Sequence, residues 1–207
     1  MTARVERVVT SGVFSLDGED FDVDNNVWLV GDDDDVIVID PAHDVGPILD
    51  AIDDRRVRAI ACTHAHNDHI GAVGDLREAT RAPVLLHPAD RMLWDVVYPD
   101  VDPDAALAGQ LFVAGIQLRV LPTPGHSPGS VSLHSPELAV VFTGDTLFAG
   151  GPGATGRSYS DFGTIIASIR DELLTLPPET VVHTGHGDDT TIGAEAPHLA
   201  EWLARGH

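Results

Sequence analysis

The chain opens on strand patterns. In "RVERVVTSGVFSL" (4–16) and "NNVWLVG" (25–31), β-branched and aromatic residues recur in the manner of strands. "VIVID" (36–40) and "VRAIACT" (57–63) are short unbroken apolar runs, the pattern of strands buried on both faces. Between them "DVGPILDAIDD" (44–54) has helical spacing. The pattern then predicts a helix in "GAVGDLREATR" (71–81), a strand in "APVLLH" (82–87) and a helix in "PADRMLWDVV" (88–97), with Pro88 at its start. Residues 99–110 are rich in Asp, Pro and Ala and read as a surface excursion. A second run of strands follows in "QLRVLPT" (117–123), "GSVSLHS" (129–135) and "LAVVFTGD" (138–145). "SDFGTIIASIRDELLTL" (160–176) is the clearest helix, with Ile165, Ile166, Ile169, Leu173 and Leu176 on one face. "TVVHTGH" (180–186) is a strand and "GAEAPHLAEWLARG" (193–206) a closing helix. Two rounds of strands and helices, roughly 1–98 and 110–207, predict a layered α/β protein forming one domain over 1–207.

Composition narrows the partners more than the fold. Thirty-three acids against twelve bases give a net charge of −21, and all twelve bases are arginine. Such a surface repels phosphate backbones and anionic lipid headgroups, which disfavours nucleic-acid and membrane partners. The single Cys62 allows neither an intramolecular disulfide nor a Cys-x-x-Cys knuckle, and core packing is its expected role. "MTARVERVVTSG" has no apolar stretch after its arginines, and no apolar run approaches ~18 residues. A cytoplasmic enzyme without signal peptide or transmembrane helix is the expectation. "GDDDDV" (31–36) lacks the spaced ligands and turn glycine of an EF-hand loop and reads as a solvated turn.

Chemistry concentrates at the ends of four buried strands, where loops on a rigid scaffold can bring side chains together. "CTHAHNDHIGAV" (62–73) carries His64, His66, Asp68 and His69. His126 follows "RVLPTPG", Asp145 follows "VVFTG" and His186 follows "VVHTG". Seven imidazole and carboxylate ligands suit two divalent ions of borderline hardness, zinc first, with iron or manganese also fitting. Alternate residues of an extended segment face the same way, so His64 and His66 can grip one ion. A turn after them lets Asp68 and His69 address a second ion, and Asp145 can bridge both. Of the other histidines, His87, His134 and His183 read as packing or satisfied polar residues, His43 as an ordinary loop residue with a pocket neighbour as the alternative, and His198 and His207 as solvent-facing.

"THAHNDH", "TPGHSPGS", "FTGDTLF" and "HTGHG" resemble the ordered motifs of the metallo-β-lactamase superfamily, most of all its glyoxalase II-like (hydroxyacylglutathione hydrolase) branch. "VIVIDP", with Asp40, is similar to the superfamily's first motif, whose aspartate supports the metal loop. The resemblance spans about Asn26 to Glu195 and implies an αβ/βα sandwich, two helical layers enclosing two sheets. It assigns His64, His66, His126 and Asp145 to one metal, and Asp68, His69, Asp145 and His186 to the other. It further implies a metal-activated hydroxide that attacks an acyl carbonyl and releases a thiolate, with Asp68 orienting the nucleophile as a catalytic group.

The segment "GDTLFAGGPGATGRSYSDFGTIIASI" is similar to small bacterial glyoxalase II-type proteins. There Arg157 meets a substrate carboxylate or pairs with Asp161, Tyr159 walls the pocket, and Phe162 either walls it or packs in the core. Long glyoxalase II enzymes carry a helical C-terminal domain for glutathione, whereas 21 residues follow His186 here. Mycothiol or coenzyme A therefore stand beside glutathione as acyl carriers. A persulfide dioxygenase, with one iron on His64, His126 and Asp145, is the alternative reaction on this scaffold. Lactone or other ester hydrolysis is a further one. A secreted β-lactamase is disfavoured by the absence of a leader and by Asp145, whose position commonly carries Cys in those enzymes. A nuclease is disfavoured by charge, and a non-catalytic metal-binding module by the completeness of the ligand set.

Overall fold

A computed structural model describes residues 2–16 and 18–206. In chain order it comprises β1 (Arg4–Leu16), β2 (Glu19–Gly31), β3 (Asp35–Ile39), α1 (Val45–Ile52), β4 (Arg56–Cys62), α2 (Asn67–Ile70), α3 (Val73–Thr80), β5 (Val84–Leu86), α4 (Arg91–Val97) and β6 (Ala105–Ala106). The second half adds β7 (Gln110–Val113), β8 (Ile116–Pro122), β9 (Val131–Ser135), β10 (Val140–Gly144), β11 (Leu147–Phe148), β12 (Gly151–Pro152), α5 (Phe162–Ser168), β13 (Val181–Thr184), β14 (Thr190–Thr191), α6 (Ile192–Glu195) and α7 (Leu199–Arg205).

One sheet runs β1-β2-β3-β4-β5-β6 and the other β14-β13-β10-β9-β8-β7. Strands β3 to β6 are parallel neighbours, as are β10 and β13. Parallel strands have both faces covered, and the alternation of side chains sorts the apolar runs between the two faces. Val36, Val38, Ile60 and Cys62 face a core shared with Ile48, Leu76 and Trp94 of the first helical layer. Their neighbours Ile37, Ile39, Ala59 and Ala61 face the other way, against Leu118, Leu133 and Phe142 of the second sheet. The outer face of that sheet packs Val141 and Val182 on Ile165, Ile169, Leu173 and Trp202. The result is the αβ/βα sandwich. Each fully buried Ile or Leu in these layers contributes about 1.5–3 kcal/mol.

The differences from the sequence reading are local. Residues 99–110 are not wholly a surface excursion: Ala105–Ala106 add the sixth strand to the first sheet, and Leu107 is fully buried. The helix predicted over 160–176 is α-helical only over Phe162–Ser168 and then widens, with Leu174 N–H donating to Ile169 O at 2.8 Å, while Leu176 is half-buried. The closing helix is broken into α6 and α7 around Pro197, which has no N–H for a continuous ladder. "GDDDDV" is a turn, with Asp32 accepting from the N–H groups of Asp34 and Asp35. Cys62 is buried. His87 accepts from Ala89 N–H, His134 and His183 are buried in strands, and His198 is exposed. His207 lies outside the described residues. Among the described residues no helix is long and apolar enough to cross a membrane.

Candidate metal centre

The four strand ends converge. β4 ends at Cys62 and hands the chain to His64 and His66, and α2 then carries Asp68 and His69. The loop between β8 and β9 brings His126, and Asp145 and His186 follow the parallel pair β10 and β13. Gly185 N–H donates to Gly144 O at 2.9 Å, which locks the last two ends together. Gly185 must lack a side chain, because a Cβ there would collide with Asp145 Oδ1 and the His69 ring.

The donors form two sets. His64, His66 and His126 make one, and Asp68, His69 and His186 the other. Asp145 lies between them: Oδ1 is 3.2 Å from His69 Nε2, and Oδ2 is 3.5 Å from His126 Nε2 and 3.6 Å from His186 Nε2. Asp40, His64 and His69 also cluster. However, both Asp40 oxygens serve the loop, accepting from Thr63 N–H and Oγ1–H at 2.6 Å and from His69 Nδ1–H at 3.1 Å.

The outer nitrogen of four rings is committed, which fixes the tautomer and aims the other nitrogen inward. His69 Nδ1 faces the Asp40 carboxylate, His126 Nδ1 faces Ala154 O at 3.0 Å, and His186 Nδ1 faces Asp24 O at 2.8 Å. These partners only accept, so each Nδ1 carries the proton. Thr63 Oγ1 spends its own proton on Asp40, so it accepts from His64 Nδ1 at 3.1 Å. The inward nitrogens then crowd each other. His126 Nε2 is 3.0 Å from His66 Nδ1, and His69 Nε2 is 3.2 Å from His186 Nε2. Facing lone pairs at these separations repel unless a proton or cation is shared between them. His64 Nε2, Asp68 Oδ1 and Asp145 Oδ1 are buried without a hydrogen-bond partner; Asp145 Oδ1 is near His69 but out of alignment. Converging imidazoles and orphaned carboxylate oxygens are the donor chemistry of divalent metal sites, and the residues fit.

The electrostatics agree. Burial pushes His64 far below the usual histidine range and His66 down to about 3, which keeps both neutral. Burial also opposes charge on His69, His186, Asp68 and Asp145, but their mutual attraction outweighs it. His69 is raised well above its ordinary value by Asp145 and Asp68, and His186 to about 9 by hydrogen bonds to the same carboxylates. Asp68 is held at about 2 and Asp145 well below the carboxylate range. Cations entering the second set therefore displace protons.

The sequence signature of the Metallo-beta-lactamase superfamily matches residues 21–186. The chain belongs to that superfamily. A hydroxyacylglutathione hydrolase of Haemophilus influenzae is 32% identical over 188 residues, covering 82% of this chain and 89% of its own. Among solved structures, the B3 metallo-β-lactamase BLEG-1 superposes with a TM-score of 0.79 at 31% identity, covering 93% of this chain and 99% of its own. A protein crystallised in a di-iron-bound form gives 0.72 at 38% identity, covering 84% and 93%.

In this metallo-β-lactamase superfamily member, two supporting residues escape a reading by motif. Asp90 is fully buried and fastens two ligand loops together. Its Oδ2 accepts from Ala65 N–H at 3.0 Å and Ser127 Oγ–H at 2.7 Å, and its Oδ1 from Gly129 N–H at 2.5 Å. Asn25 is also fully buried and donates to Asp68 Oδ2 at 3.1 Å. An Asp near a helix start and an Asn opening a strand look ordinary in sequence; only the paired "NN" before an otherwise apolar strand is a signal.

A cavity of about 230 Å³ opens over the donor sets, walled by Phe14, Val23 and Phe148 and bordered by Arg157. The Arg157 guanidinium lies over the Phe21 and Phe14 rings, 5.3 and 5.9 Å from their centroids. It does not pair with Asp161, whose Oδ1 accepts from Thr164 N–H and Oγ1–H at the start of α5. Tyr159, expected beside Arg157 on the wall, is 60% exposed and does not line the cavity. Its backbone adopts a φ of 69°. Of the two places expected for Phe162 the structure shows the core, against the outer helical layer.

Proposed function

We propose that this metallo-hydrolase cleaves a thioester of a low-molecular-weight thiol using two divalent ions, zinc or iron. His64, His66, His126 and Asp145 hold one ion, and Asp68, His69, Asp145 and His186 hold the other. The observation that carries this reading is Asp145, whose carboxylate reaches both donor sets, with Oδ1 beside His69 and Oδ2 between His126 and His186. Each set gathers three donors within reach of one another, which favours a two-ion hydrolase over a single-iron dioxygenase. The similarity to the Haemophilus influenzae hydrolase supports the thioester class. With a net charge of −21, the partner is a small molecule rather than nucleic acid or an anionic membrane.

When bound, a pair of such ions supplies a nucleophile at neutral pH and Lewis acidity for the acyl carbonyl. The chain supplies the rest. Asp68, fixed through Oδ2 by Asn25, keeps Oδ1 free to orient the nucleophile. Phe14, Val23 and Phe148 exclude bulk water from the acyl group and strengthen every electrostatic contact inside. A thiolate leaves without needing a dedicated general acid.

Metal quantification on the native protein, coupled to a panel of thioesters, a lactone and a β-lactam, tests the proposal. Two equivalents of metal with thioester turnover are expected. One tightly held iron with sulfide-dependent oxygen uptake, or turnover confined to the lactone or β-lactam, would overturn it.

Arg157 is assigned to an anionic group of the substrate, because it stands at the cavity rim without an ion pair among the described residues. Arg157→Met should raise KM for carboxylate-bearing thioesters roughly 10- to 100-fold, the worth of a charged hydrogen bond, with kcat little changed. An equal loss on a neutral thioester would remove the assignment.

A further inference from the structure

His43 has no place in the chemistry above, yet it is held with unusual care. It adopts a φ of 54°, a conformation that is strained for a residue with a side chain. The preceding carbonyl, Ala42 O, is fixed by the buried Thr10 Oγ1–H of β1 at 2.9 Å. The ring sits in a notch of the same strand made by Gly12, where any Cβ would collide with Nδ1. Its Nε2 is 2.7 Å from Asn25 Oδ1.

The hydrogen bonds of this chain run in one sense only. The Asp68 carboxylate accepts, so Asn25 presents its amide N–H₂ to it. The Asn25 carbonyl oxygen must then face His43, and His43 Nε2 carries the proton. The same Asn25 amide lies 3.4 Å from His186 Nε2. Asn25 therefore touches two donors of the second set and none of the first.

We infer that Gly12, His43 and Asn25 form a positioning relay that sets the affinity of the second metal position through Asp68 and His186. This rests on the two-ion reading above. His43 is a positioning residue: it fixes the Asn25 amide, and the amide fixes the Asp68 carboxylate and screens it from rotation. Without the His43 proton, the Asn25 side chain is free to flip and present its carbonyl to Asp68, which repels.

The test is a cobalt(II) titration of the chelator-stripped full chain, followed by visible absorption and calorimetry. The wild type should take up two ions. His43→Ala should weaken one of the two binding events by roughly 10- to 100-fold, the usual effect of losing a partner that orients a metal ligand, and leave the other unchanged. His43→Gln, whose amide N–H₂ ends at the same distance along the side chain, should restore most of the loss. Gly12→Ala alters no hydrogen-bonding group but expels the His43 ring, so it should reproduce the His43→Ala result. Wild-type affinity at both positions in His43→Ala and Gly12→Ala would overturn the relay, as would equal weakening of both. A wild type that binds a single ion would instead overturn the two-ion reading on which the relay stands.

Discussion

Asp145→Ala should release both ions and slow thioester turnover by at least about 10³-fold, since the several kcal/mol supplied by metal catalysis convert at 1.36 kcal/mol per decade. The Asp145 carboxylate lies against His126 of one donor set and against His69 and His186 of the other. Removing it strips one oxygen from the surroundings of His126 and another from those of His69. It also removes one of the two carboxylates, with Asp68, that raise His69 and His186 above the usual histidine range. Metal content by mass spectrometry and steady-state kinetics on the same preparation provide the check. Two retained equivalents with a near-normal rate would mean that Asp145 is not the bridge.

Asp90→Ala should lower stability by about 3 kcal/mol or more, because it leaves the Ala65 and Gly129 N–H groups buried without an acceptor, at roughly 1–3 kcal/mol each. For a chain of this size that corresponds to a fall in Tm of roughly 8 °C. Asp90 holds the 64–66 segment to the 126–130 loop, so its removal loosens the first donor set while leaving Asp68, His69 and His186 in place. The carboxyl is raised above its usual value by burial, against the pull of the Ser127, Gly129 and Ala65 bonds. Thermal denaturation with and without zinc distinguishes the two effects. An unchanged Tm in the metal-free state would show that the three contacts carry no net energy.

The fold was legible wherever a strand or helix faced two layers. "VIVID" and "VRAIACT" declare themselves because burial on both faces forces an unbroken apolar run. The short edge strands at 105–106 and 190–191 are held by backbone pairing with a neighbour, which leaves little trace in side-chain pattern. The seven metal-competent residues were equally legible, because a motif of His and Asp at strand ends encodes its own chemistry. What supports them was not. Asp90, Asn25 and His43 act through hydrogen bonds across 18 to 43 positions of sequence, and such pairings exist only once the layers have assembled. Tyr159 shows the same limit from the other side. Its neighbour Arg157 borders the cavity, while the tyrosine is exposed outside it.

The division of the ligands between the sheets has a mechanical meaning. His64, His66, Asp68 and His69 follow a strand of the first sheet, whereas His126, Asp145 and His186 belong to connections of the second. Each proposed ion would take donors from both, and so would rivet two halves that otherwise meet through an apolar seam. Any ligand that binds only the folded state adds about 2.7 kcal/mol at a free concentration one hundred times its dissociation constant. The cohesion of the sandwich at its open edge would then follow the supply of metal, and the chain's lifetime in a metal-starved cell would be set there.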